Sequence, residues 1–223
     1  MPELFQEMYY GPNVQNLVES DDCKVMRLSD NSGEGMMTLY HVFPGVFLMY
    51  NDFHMKECIS GFQTDMDLLC IDHCREGRIE QEVGQNAFSY LEAGDLRVDR
   101  RIHHSGKVEF PLCHYHGISI GFQVETAAKE IPASMKGFSV DLYELQKNIA
   151  VTAHLMSFQE NRPLSIFFPN FTMCRSKSKK TISRLRCWSY CCIWMHWNFQ
   201  AIQKNAPIFI KVRLKKSKQS RRS

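Results

Sequence analysis

The 223-residue chain has 12% aromatic residues and a formal net charge of +3, enough material for one domain or one and a half. Its opening residues, MPELFQEMYYGPNV, have neither a basic n-region nor an apolar core, so no secretory signal is expected. The longest apolar run, residues 187–199, falls short of the roughly 20 residues that a membrane-spanning helix needs. A cytoplasmic protein is expected, with its nine cysteines held as free thiols rather than as a disulfide framework.

The net charge conceals two different kinds of sequence. Residues 1–148 hold 12 Lys+Arg against 23 Asp+Glu, whereas residues 149–223 hold 15 against one. All 12 glycines precede Lys147, and all three tryptophans (Trp188, Trp194 and Trp197) follow it.

In chain order, residues 1–35 read as an irregular arm with one short strand at 24–28. Runs at 36–42 and 46–53 read as strands joined at Pro44-Gly45, a plausible hairpin. Residues 68–74 and 78–83 read as a second pair around Glu76-Gly77. A strand ending at Leu91 then meets a tight turn at Glu92-Ala93-Gly94-Asp95, where Gly94 suits a positive φ. A strand over 96–100, a polar loop broken by Pro111 and a return strand over 114–123 follow. In that last strand His114, His116, Ile118, Ile120 and Phe122 share one parity, and Tyr115, Gly117, Ser119, Gly121 and Gln123 the other. Residues 139–148 (SVDLYELQKN) have a helical pattern, with Leu142 and Leu145 facing the sheet and Asp141 near the N-terminus. Short strands separated by turn signals predict a mostly β fold, a sandwich or barrel, rather than βαβ units.

Five runs carry a resemblance: GVFLMYNDFHM (45–55), LLCIDHCREGRIE (68–80), YLEAGDLRVDRR (90–101), FPLCHYHGISIGF (110–122) and SVDLYEL (139–145). Together they resemble the N-terminal regulatory domain of AraC-family bacterial transcriptional regulators. The resemblance covers roughly residues 36–148, in order and spacing. It implies a cupin-like β-barrel with a C-terminal helix, sensing a small-molecule effector and capable of homodimerising. In the family, a DNA-binding half with two helix-turn-helix motifs follows and needs about 100 further residues. DNA recognition is therefore expected of an intact parent protein and not, sequence-specifically, of this chain.

The candidate pocket residues are His73, Arg100, His114 and His116. His114 and His116 form an H-x-H on one strand face, so both imidazoles could point into the barrel and line a pocket or hold a metal. A carboxylate a few residues on and a further His from a partner strand would complete a metal set, but the next acid is Glu125. Core or pocket histidines are the expectation, with no metal and no cofactor. Arg100 shares parity with Leu96 and Val98 and would put a cation either at the barrel mouth, suiting an anionic effector, or on the surface. Cys70 and Cys74 stand about 13 Å apart at strand rise and are expected as buried thiols.

Two functions compete on these residues. One is the effector-sensing half of a regulator, without catalysis. The other is a free-standing metal-dependent cupin enzyme using His114 and His116. No membrane partner is expected. The basic tail, 149–223, is expected to be irregular. Its Cys187-Trp188-Ser189-Tyr190-Cys191-Cys192 cluster lacks the second pair of a zinc motif. Permitted codons for His154 onward, read one base earlier, restore glycines, acids and an apolar helix. The abrupt change at Asn148 thus predicts out-of-frame translation from about Ile149.

Overall fold

The computed structural model describes residues 8–84, 87–101, 104–134, 141–151, 155–159 and 212–214. These described residues include, in chain order, the strands and helices β1 (Met8–Tyr9), β2 (Val14–Glu19), β3 (Cys23–Asp30), β4 (Gly33–Phe43), β5 (Val46–His54), β6 (Glu57–Thr64), β7 (Leu68–Gly84), β8 (Ala87–Glu92), β9 (Asp95–Arg101), β10 (His104–Glu109), β11 (Tyr115–Gln123), α1 (Val124–Ser134), α2 (Leu142–Val151), β12 (Leu155–Gln159) and β13 (Val212–Leu214). Among the described residues every strand pairing is antiparallel. The fold is mostly β, a curled antiparallel sheet.

β7 organises it. This strand is 17 residues long and takes part in two sheets. Its first half pairs with β9 over Leu68–His73 and with β11 over Leu68–Gly77, while its second half pairs with β8 and β10. One sheet therefore runs β2-β3-β4-β5-β11-β7-β9-β12, and the other runs β1-β6-β10-β7-β8-β13. The strand turns from one to the other beside Gly77, whose φ is +81° and whose missing Cβ would lie 2.1 Å from the His114 carbonyl oxygen. No other residue fits there. The returning chain makes the same passage between β8 and β9. Gly94 (φ +87°) donates its N–H to the Cys74 carbonyl at 2.9 Å, and Asp95 Oδ2 accepts from Glu92 N at 3.0 Å.

Several expectations are corrected here. The 68–74 and 78–83 runs form one bent strand, not a hairpin around Glu76-Gly77. The arm of residues 1–35 contributes β1, β2, β3 and the start of β4 to the sheets. The polar loop after residue 100 contains β10, which zips along β6 from His104–Phe62 to Glu109–Glu57. The β4–β5 hairpin at Pro44-Gly45 forms as expected. So does the later helix, α2, at whose start Asp141 Oδ1 accepts from the N–H groups of Tyr143 (2.9 Å) and Glu144 (3.0 Å), the capping that a helix N-terminus needs. α1, which contains Pro132, was not anticipated. The tail beyond residue 149 lies outside the described residues except at 149–151, 155–159 and 212–214. Its tryptophan and cysteine cluster, and its basic end apart from 212–214, lie outside the described residues.

Two cores result. Between the sheets lie Met26, Met37, Phe47, Phe53, Leu91 and Phe110, with their neighbours. On the opposite face of the first sheet, Ile71, Val98, Ile118, Ile120 and Phe122 pack beneath Ala127 and Ile131 of α1 and Leu142 and Leu145 of α2. Each fully buried aliphatic side chain contributes about 1.5–3 kcal/mol. Cys70 and Cys74 are both buried free thiols, as the strand spacing predicts.

Candidate functional site

The space between the sheets holds a cavity of about 140 Å³ that opens to solvent beside Ile59. Strand alternation decides what lines it. From β9, residues Arg97 and Arg101 point inward, while Leu96 and Val98 go to the helix-covered core. From β7, Leu68, Cys70 and Asp72 point inward, while Leu69 and Ile71 go outward. From β11, Tyr115 and Ser119 face the cavity. Much of the wall is apolar and soft: Met8, Met37, Met49, Phe47, Phe53 and Phe110. Phe53 stacks on Phe110 with centroids 5.2 Å apart.

The polar part of the wall is an ionic network centred on Asp72 Oδ2, the other carboxylate oxygen, Oδ1, being buried without a hydrogen-bond partner. Arg97 donates to Asp72 Oδ2 through Nε (3.2 Å) and Nη2 (2.8 Å), and to Gln81 Oε1 through Nη1 (2.9 Å). Arg101 donates through Nη2 to the same Asp72 oxygen at 2.6 Å and through Nε to Asp99 Oδ1 at 3.2 Å. Asn51 Nδ2 donates to the Ser119 hydroxyl at 3.2 Å. Burial alone would raise the Asp72 carboxyl, but Arg101 and Arg97, helped by the Ser119 hydroxyl, outweigh it and hold that carboxyl below the usual carboxylate range. Burial likewise disfavours charge on Arg97 and Arg101, and Asp72 and Asp99 outweigh it in raising both guanidinium values. Desolvation pushes the Cys70 and Cys58 thiols to about 12 and raises the Tyr10 and Tyr115 phenols above their ordinary value.

None of the four residues expected in the pocket lines this cavity. His73 is buried (5% exposed) on the other face of β7, where burial first and Arg75 second lower its imidazole to about 4. Arg100 points outward and pairs with Asp67 at 2.8 Å, both about 45% exposed. His114 sits before β11, its Nδ1 3.1 Å from the Leu112 carbonyl oxygen. His116 projects from the outer face of β11. The parities were read correctly and the faces were exchanged. In β9 the spacing Arg97-Val98-Asp99-Arg100-Arg101 offered the missed signal: three charged residues at i, i+2 and i+4 share one side of a strand, with Asp72 across the pair as their counter-ion.

On that outer face the strand register assembles a second cluster. His116 stands opposite Asp52 of β5 on one side and Glu76 of β7 on the other. His54 lies two residues beyond Asp52 on the same face. Asp52 Oδ1 is 2.9 Å from His54 Nε2 and 3.0 Å from His116 Nε2, and Glu76 Oε2 is 4.0 Å from His116 Nδ1. The imidazoles of His54 and His116 meet edge-on, centroids 5.3 Å apart. The partner-strand histidine and the nearby carboxylate that the sequence did not supply within His114–Glu125 come from β5.

Among the described residues no helix is long and apolar enough to cross a membrane. No family model and no curated protein matches the chain. Solved structures similar to it include the EutQ protein of Clostridium difficile, at 13% identity and TM-score 0.29 over 44% of this chain and 70% of that one. Vicilin from Corylus avellana (hazelnut) gives 9% identity and TM-score 0.22 over 69% and 34%. Vicilin from Solanum melongena gives 10% and 0.24 over 84% and 45%. Likenesses this low carry no functional inference.

Proposed function

We propose that this chain is a small-molecule-sensing domain, cupin-like in fold and of the kind found in AraC-family transcriptional regulators, that binds an effector in the cavity between its sheets without transforming it. The observation that carries this reading is the electrostatic character of the wall. Catalytic acids and bases work best with values near the operating pH, whereas Asp72, Arg97, Arg101, Cys58, Cys70, Tyr10 and Tyr115 are all moved away from neutrality by burial and by one another. Such a wall recognises. It is poorly suited to exchanging protons.

The effector is small and amphipathic. A cavity of about 150 Å³ lined by aliphatic and aromatic side chains holds a molecule the size of benzene, and this one is closely similar in volume. Its apolar part would lie among the methionines, which adapt to irregular shapes. Its polar end would meet Arg97, Arg101, Asn51 and Ser119. Because Asp72 and Asp99 already neutralise the two guanidiniums, a hydroxyl or carbonyl is accommodated as well as a carboxylate. The sensing domain works in the cytoplasm without a cofactor, pairs with a second copy and passes its state to a DNA-binding half in an intact regulator. The stretch from about Ile149 is the out-of-frame remnant of that regulator's linker, which resequencing the locus tests.

The second reading, a metal-dependent cupin enzyme using His114 and His116, draws on the outer-face cluster around His116. The two readings put the small molecule in different places. Thermal-shift screening of the purified chain against small amphipathic carboxylates, alcohols and ketones tests the first. Stabilising compounds recovered unchanged after prolonged incubation support it. Conversion of such a compound to product, abolished by His116→Ala, replaces it with the second.

A further inference from the structure

We infer that Asp52, His54 and His116 form a surface site for a borderline divalent transition-metal ion, of the zinc, cobalt or nickel kind, outside the cavity and independent of the sensing role. Two imidazoles and one carboxylate are the ligands these ions take, at about 2.0–2.2 Å from the metal. Ligand atoms at that radius around a tetrahedral ion are roughly 3.3 Å from one another. In this structure the Asp52 oxygen stands 2.9 and 3.0 Å from the two Nε2 atoms, and the three ligand atoms all lie within 4.8 Å of one another. Little movement is needed to admit an ion.

Three further observations point the same way. His116 Nε2 is shielded from solvent and makes no hydrogen bond of good angle, even with Asp52 Oδ1 beside it. Its lone pair is available to a cation. On the far side of the same ring, Glu76 Oε2 lies 4.0 Å from Nδ1, beyond hydrogen-bond reach but close enough to add a second carboxylate's negative charge beside a bound cation. The backbone fixes the pair: Asp52 and His116 are direct cross-strand partners on two strands that are each hydrogen-bonded on both sides. Three protein ligands leave at least one position open, and the site is exposed enough (side chains 37–62% accessible) for an exchangeable ligand to enter.

Titration of the chelator-stripped full chain with cobalt(II), followed by visible absorption, and with zinc(II), followed by calorimetry, tests the site. One equivalent should bind with a spectrum free of thiolate charge transfer. His54→Ala and Asp52→Asn should each weaken it by at least the roughly 10–100-fold that loss even of an outer partner costs a metal site. Cys113→Ser, an exposed thiol nearby, should leave it unchanged. Because the substituted side chains are on the surface, folding is not at stake, and His54→Gln gives a second, bulk-preserving check. Undiminished affinity in these variants, thiolate charge transfer, or no binding at all by the parent chain would overturn the assignment.

Discussion

Where α1 and α2 cover the first sheet both of its faces are buried, and they are built from opposite chemistries. Under the helices the side chains are Ile, Val, Leu and Phe, packed against α1 and α2. Facing the second sheet are methionines, phenylalanines and cysteines, interrupted by Asp72, Arg97 and Arg101. The first face holds the fold together through ordinary close packing. The second contains a cavity and an ionic network whose stability depends on every member being present. A face built this way gives up packing stability, because a buried ion pair seldom stabilises more than well-packed apolar residues would.

The largest effect should come from breaking that network. Arg97→Ala leaves Asp72 buried with only Arg101 beside it, and removing one member of a buried pair costs about 3–5 kcal/mol. Urea unfolding should show this, while Arg97→Met paired with Asp72→Leu should recover much of the loss. If the single variant were near neutral, the network would not be buried as described. On the helix side, Ile71→Ala should cost about 3 kcal/mol through the cavity it opens and leave effector binding intact. A change in binding larger than the change in stability would blur the division between the faces.

Acid sharpens the contrast further. His73 is folded with its imidazole lowered to about 4, below the unfolded value near 6.5. Between those values the unfolded chain carries the proton and the folded chain does not. Stability is therefore full above about pH 6.5 and is lost as pH falls towards 4, by an amount on the order of 2–3 kcal/mol. His73→Gln should flatten that segment of the pH profile, measured by thermal melts between pH 4 and 7. An unchanged slope would move the cause elsewhere. The smallest effect belongs to Arg100→Ala. Its pair with Asp67 is exposed and should contribute under about 0.5 kcal/mol, with no effect on effector binding.

Much of the strand layout was legible in the sequence, because turn chemistry is local. Pro44-Gly45 and Gly94-Asp95 mark their turns, and Asp141 marks its helix. The continuity of β7 was hidden, since Glu76-Gly77 looks like a hairpin turn when it is a bend between sheets. β2 was missed because an edge strand needs few apolar residues, and its own are nearly all exposed; β10, an interior strand between β6 and β7, was missed because Val108 is its one aliphatic residue. α1 was masked by Pro132. The site was misread for a deeper reason. Alternation along β9 and β11 separates two sets but does not say which faces the interior when both faces are buried. The aliphatic set went to the helices, leaving the charged set inside. His54 and Asp52 joined His116 only through the register of β5 with β11, which periodicity within one strand does not specify.

In a sensing domain of the proposed kind the effector occupies the cavity between the sheets and touches the Arg97–Asp72–Arg101 network. The most direct test takes one stabilising compound at about 100 times its dissociation constant, where binding should add about 2.7 kcal/mol, and compares three variants by thermal shift. Arg101→Met should abolish the ligand-induced shift, while Arg100→Ala and His114→Ala should retain it in full. A shift that survives Arg101→Met and disappears with His114→Ala would place the ligand on the outer face and contradict the account.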